Sequence, residues 1–142
     1  MAVAVSMPVL SIAVAAPNTH IAKALEDERG DLKLTLLKPL AGKTQWYGGA
    51  AIPVRVLLQD GDEGPVLAGA NITLWVNEAP ATSVGRSMMG NVFTDLGDGM
   101  YQFNLDTKPY PAGPGSPMFE FTIVAHSLDE RSIGYPVSIH LN

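Results

Sequence analysis

Apolar residues in the last 111 positions of this chain recur at every second residue, in runs cut by glycine and proline. Ile52, Val54, Val56 and Leu58 share one parity, with Pro53 and Arg55 on the other; Ile72, Leu74 and Val76 repeat the pattern, opposed by Asn71, Thr73 and Trp75. A two-residue period puts successive side chains on opposite faces of an extended strand, so each run describes a strand with one buried face. Gly97-Asp98-Gly99 is turn chemistry: glycine reaches positive φ without penalty, and an aspartate side chain bonds neighbouring amides. It leads directly into Tyr101, Phe103 and Leu105, which alternate with Met100, Gln102 and Asn104.

Seven strands are expected from Asp31 onward. Leu32, Leu34 and Leu36 mark the first, which stops at Lys38-Pro39. A glycine-rich loop carrying Trp46 and Tyr47 precedes the second, Ile52 to Leu58, whose Pro53 cannot donate to a ladder and so belongs at an edge. The turn Asp60 to Pro65 leads to the third strand, at Ile72 to Val76. A fourth is expected around Met89 to Thr94, and the Gly97-Asp98-Gly99 turn pairs it with the fifth, Tyr101 to Leu105. The proline-rich run Lys108 to Pro117 reads as a crossover between sheets. Phe119, Phe121, Ile123 and Ala125 build the sixth strand, and Tyr135, Val137, Ile139 and Leu141 the last. Short, mostly one-faced strands at this spacing point to an all-β antiparallel sandwich.

Two stretches add a resemblance. Gly97-Asp98-Gly99-Met100-Tyr101 resembles the "GDGxY" segment of bacterial immunoglobulin-like and filamin-type repeats, and Val54 through Val76 resembles the "VRVxLxDxxGxPVxGAxVxLxV" pattern of secreted bacterial sandwich modules. The resemblance covers roughly residues 32 to 142. It implies an immunoglobulin-like sandwich in an adhesive, spacer or assembly module of a cell surface, filament or virion. It also implies a corner role for Tyr101, with the ring in the core and the hydroxyl on a backbone group; Gly97 stands where that corner often has an aspartate.

Residues 1–31 are of another kind. From Ala2 to Ala16 the chain carries no charge, and Val3, Val5, Met7 and Val9 share one parity while Leu10, Ile12 and Val14 share the other. The register changes near Pro8, giving two short extended pieces. If about six of these side chains are buried, the gain is on the order of 10 kcal/mol before ordering entropy is subtracted. That is enough to join subunits, and the segment reads as an extended N-terminal arm that adds strands to a neighbouring copy or a second protein. A first strand of the same domain and a secretory leader are the other readings, the leader lacking any Lys or Arg before Lys23. The apolar run is too short to span a bilayer. His20 to Gly30 fits a short helix capped by Asn18 or Thr19, or a linker.

Composition removes several functions. The formal charge of −5 comes with no basic cluster, which argues against nucleic-acid binding, and the absence of cysteine removes disulfides, thiolate metal sites and thiol catalysis. Asp60, Asp62 and Glu63 offer carboxylates to calcium without the spacing of a helical calcium loop, so a solvated turn is the preferred reading, as for Asp95 and Asp98. His126, Ser127, Asp129 and Glu130 share a loop but match no nucleophile or metal motif, and His20 and His140 are isolated. Six methionines, Met88 and Met89 adjacent, read as core filler rather than copper ligands. No cofactor and no enzymatic activity are expected. Trp46, Tyr47, Trp75 and Tyr110 are the candidates for an aromatic surface that receives a sugar or a protein partner, and the parity of Trp75 turns it away from the core. The sequence therefore points to a homo-oligomeric or polymeric structural protein outside the cell, with a secreted monomeric binding module as the alternative.

Overall fold

The alternating runs become strands in the computed structural model, which describes residues 32–39, 42–84 and 90–142. In chain order they are β1 (Leu32–Lys38), β2 (Gln45–Trp46), β3 (Ala51–Asp60), β4 (Asn71–Val76), β5 (Ala79–Pro80), β6 (Thr94–Gly97), β7 (Met100–Asp106), β8 (Phe119–His126) and β9 (Ser132–Leu141). The described residues contain no helix. Two of the nine, β2 and β5, are two-residue edge pieces.

One sheet has the order β1-β3-β7-β6 and the other β2-β9-β8-β4-β5. The two sheets form a β-sandwich, in which the first, second, fifth and fourth long strands face the third, sixth and seventh. All pairings are antiparallel except β2 with β9, which is parallel, so the expectation of a purely antiparallel sandwich is corrected at that edge. The run 108–117 connects β7 of the first sheet to β8 of the second, as its composition suggested.

The core lies where the inner parities meet. Ile52, Val54, Val56 and Leu58 of β3 are fully buried, as are Ile72 and Leu74 of β4, Leu105 of β7 and Ile123 of β8. Phe93 stacks on Phe103 with ring centroids 5.4 Å apart, and Phe119 meets Phe121 at 5.8 Å. Tyr135 and Val137 of the last strand are only partly buried; Ile133, Ile139 and Leu141 take the inner positions with them.

The fourth strand lies later than its expected place. Met89 falls outside the described residues, and the ladder to β7 begins at Thr94. Residues before it work on both sheets. The amide of Ala81 donates to Leu74 O in one sheet, while Val84 N donates to Asn104 O in the other. Leu74 N then donates to Asn91 O and Phe93 N to Ile72 O, before β6 returns to β7. Residues 79–84 and 90–97 thus lie along one lateral side of the sandwich.

On the opposite side, among the described residues, β1 has β3 as its only sheet neighbour, and β9 has a partner beyond β8 only at His140 and Leu141. Pro53 sits where β3 extends past the end of β1, since Lys38 pairs with Arg55 and the ladder goes no further. Even-numbered amides of β3 face β7, as Leu58 N to Gly99 O shows, so the missing N–H of Pro53 points to the side where no strand lies.

Candidate functional site

The chain enters the sandwich at one end. Leu32 pairs with Asp60, so the start of β1 lies beside the β3–β4 loop, and the β6–β7 and β8–β9 turns share that end. Short contacts fasten these connections together. Tyr101 Oη donates to Leu67 O at 2.7 Å and accepts from Ala70 N at 3.1 Å, while its ring is buried in the core. The hydroxyl thus bonds backbone groups 31 and 34 residues upstream, whereas a tyrosine corner bonds a few residues upstream. Asp95 fastens the same loop: Oδ2 accepts from Gly69 N at 3.1 Å and Oδ1 from Gly97 N at 2.8 Å. Burial pushes the Tyr101 phenol above its ordinary pKa and the charge of Asp95 pushes it the same way, against the Ala70 amide.

Two glycines let the loops close. The Cβ of an alanine at Gly99, where φ is +76°, would lie 2.5 Å from the Cβ of Val66, and one at Gly69 would lie 3.0 Å from Leu128 Cδ1. Val66 and Leu128 therefore rest against the turns that glycine leaves open. Leu128 is 80% exposed, Val66 46% and Leu96 45%, so three of the large exposed apolar side chains of the described residues belong to this end. Acidic groups surround them at Asp62, Glu63, Asp98, Asp129 and Glu130, all exposed.

Two of the three carboxylates weighed for calcium are paired with cations. Asp60 accepts a 2.8 Å bond from Arg131 Nη1, and Asp62 pairs with Lys33 Nζ at 3.2 Å. Among the described residues no three His, Asp or Glu side chains gather into a metal site. In the β8–β9 turn Ser127 Oγ donates to Asp129, and Arg131 binds the same carboxylate. These bonds from Arg131 and Ser127 hold the Asp129 carboxyl at a pKa of about 2. His126 Nδ1 meets Ser132 Oγ at 2.7 Å, across the last pair of the β8–β9 hairpin.

The four aromatic candidates do not share a surface. Trp46 faces inward beside Leu141 and packs on the core, with Lys43 Nζ 4.4 Å from its ring centroid and its buried Nε1 unpartnered. Tyr110 packs on Phe119 at 4.8 Å. Tyr47 is 81% exposed at the end opposite the chain entry, beside Gly48, whose amide donates to Asn142 O. Trp75 alone lies on the outer face of the second sheet, where its Nε1 donates to Thr73 Oγ1 at 2.9 Å. Across that face it pairs with Thr122, and Thr122 with Pro136, next to an open depression of about 380 Å³ lined by Glu120, Thr122, Pro136 and Ser138 among others. Sequence parity found Trp75 but not its neighbours, whose convergence depends on strand register.

Val3, Val5, Met7, Val9, Leu10, Ile12 and Val14, the expected arm, lie outside the described residues, as do His20, the helical stretch to Gly30, Met88 and Met89. No helix among the described residues is long and apolar enough to cross a membrane. No protein-family model matches the chain, and no curated protein is similar to it.

Proposed function

We propose that this chain is a non-enzymatic structural protein, an immunoglobulin-like subunit of an extracellular filament, surface layer or virion, assembled through its N-terminal arm. The observation that carries the reading is the contrast between the two parts of the chain. Residues 32–142 supply inner-face side chains from both sheets to a shared core, whereas residues 2–16 add an uncharged run rich in Val, Leu, Ile and Met ahead of it. Apolar surface of that extent gains most when another surface removes it from water. The resemblance to bacterial immunoglobulin-like and filamin-type repeats supports a surface or filament setting. Electron microscopy of the purified full chain tests the reading: ordered polymers or rings are expected, and dispersed monomers at high concentration would refute it.

The outer-face depression beside Trp75 favours a second reading, a secreted monomeric module that binds carbohydrate. An indole next to Glu120, Thr122 and Ser138 offers a stacking face and hydrogen-bonding groups to a sugar ring. Glycan-array binding that disappears in Trp75→Ala, with melting unchanged, would favour this module over the assembly subunit.

A further inference from the structure

The edge of β1 from Leu32 to Leu36 is open among the described residues, with β3 as its one sheet neighbour. Odd-numbered amides of β3 face β1, and Lys33 and Thr35 lie opposite Gln59 and Leu57, so the backbone groups of Leu32, Leu34 and Leu36 point away from the sheet. No proline in this stretch withholds a donor. On the same side of the sandwich β9, at the edge of the other sheet, has Pro136 in such a position. The side chains of Leu32 and Leu34 are buried in the core, and that of Leu36 packs against it only partly covered. Past Leu36 the ladder with β3 is interrupted by a bulge before Lys38.

We infer that this edge pairs with the same edge of a second copy, antiparallel, about a two-fold axis through Leu34. A row of outward backbone donors and acceptors binds an extended strand, and here the row is complementary to itself. Its outward groups belong to even-numbered residues, so even must meet even across the axis. A register centred on Lys33 would set two ammonium groups directly opposite each other, which is destabilising, and one centred on Thr35 would run into the bulge. Centred on Leu34, Leu32 meets Leu36 and Leu34 meets its own counterpart, each pair exchanging two N–H···O bonds. On the outer face Lys33, whose ammonium lies 3.2 Å from Asp62, then meets Thr35 instead of another lysine. On the inner face the leucines of both copies form one row, which covers more of Leu36. A two-fold contact closes on itself, so it joins copies in pairs, and longer assemblies need the arm. The inference deepens the assembly reading and rests on it for the polymer only.

The chain has no cysteine, so two single variants of the full chain read the register. Lys33→Cys and Thr35→Cys chains are mixed in equal amounts and equilibrated in a glutathione redox buffer. Across the proposed axis the two positions form a non-hydrogen-bonded pair, with Cα atoms about 4.5 Å apart and within disulfide reach. The mixed dimer is expected at many times the yield of either symmetric dimer, well beyond the ratio that random collision gives. A statistical mixture, or chains recovered as monomers, would overturn the inference. A second pair of variants, Thr35→Glu and Thr35→Lys, changes the charge that Lys33 of the second copy meets, at a position on the outer face. Sedimentation equilibrium should show several-fold tighter pairing for the first and several-fold weaker pairing for the second; equal constants or the reverse order would contradict the contact. Chains that pair in this register without polymerising would remove assembly through the arm and leave the edge contact standing, whereas polymers that give the statistical mixture would do the reverse.

Discussion

Tyr101 joins the core to the loops through one oxygen. Its hydroxyl both donates and accepts, to Leu67 O and from Ala70 N, so Tyr101→Phe leaves two polar groups of the β3–β4 loop short of a partner. The expected loss is about 1–3 kcal/mol in denaturant unfolding, with the ring still filling its place. The pKa direction adds a pH signature. Because the folded phenol titrates above the ordinary tyrosine value of about 10, its contribution is complete below that value and is lost as pH rises through the folded one. Stability of the parent should fall more steeply than that of Tyr101→Phe across that range; parallel curves would show that the hydroxyl is not held as described. Asp129 behaves in the opposite sense. Its carboxyl, lowered to about 2, favours the folded state above the ordinary carboxylate range, and that contribution is lost as pH falls toward 2. An NMR titration should move the Asp129 midpoint upward in Arg131→Ala, and an unchanged midpoint would show that Arg131 does not set it.

At the level of elements, the free edge of β9 carries its own protection against unwanted pairing. His140 N donates to Thr44 O and Asn142 N to Trp46 O, which fixes even-numbered amides on the outer side of β9. Pro136 falls on that side and removes a donor from it. Pro136→Thr restores the N–H, and light scattering should show greater concentration-dependent association than in the parent; equal scattering would mean that the edge is guarded by something else. The other lateral side needs no such device, because residues 79–84 and 90–97 bond to both sheets.

Legibility from sequence follows the same division. The long strands were readable since burial of one face imposes a period of two, and Trp75 was placed on the outer face by parity; Pro53, placed by its missing N–H, lies not on an edge strand but on β3 beyond the end of its ladder with β1. The pieces β2 and β5 were not, because two residues have no period, and Trp46 turns inward only through its register with Leu141. The double crossing between Ala79 and Gly97 was equally hidden: its polar residues answer to hydrogen-bond partners in two sheets rather than to a repeating face. Tyr101 was legible as a core ring with its hydroxyl on backbone groups, but which groups, and the part taken by Asp95, depend on a loop more than 25 residues away in sequence.

For the whole molecule, a sandwich that closes on its own alternating faces follows a leading segment proposed to join subunits. Both ends of the sandwich have exposed apolar side chains, Val66, Leu96 and Leu128 where the chain enters and Tyr47 and Met118 toward the other end. The outer face beside Trp75 is a third surface, and its use by a ligand would leave the core untouched. Sedimentation velocity of the full chain beside a chain limited to residues 17–142 tests the account most directly. The account predicts large assemblies for the full chain and, for the shorter one, a folded species no larger than a dimer with an unchanged β-sheet circular dichroism spectrum. Identical sedimentation of the two would contradict it.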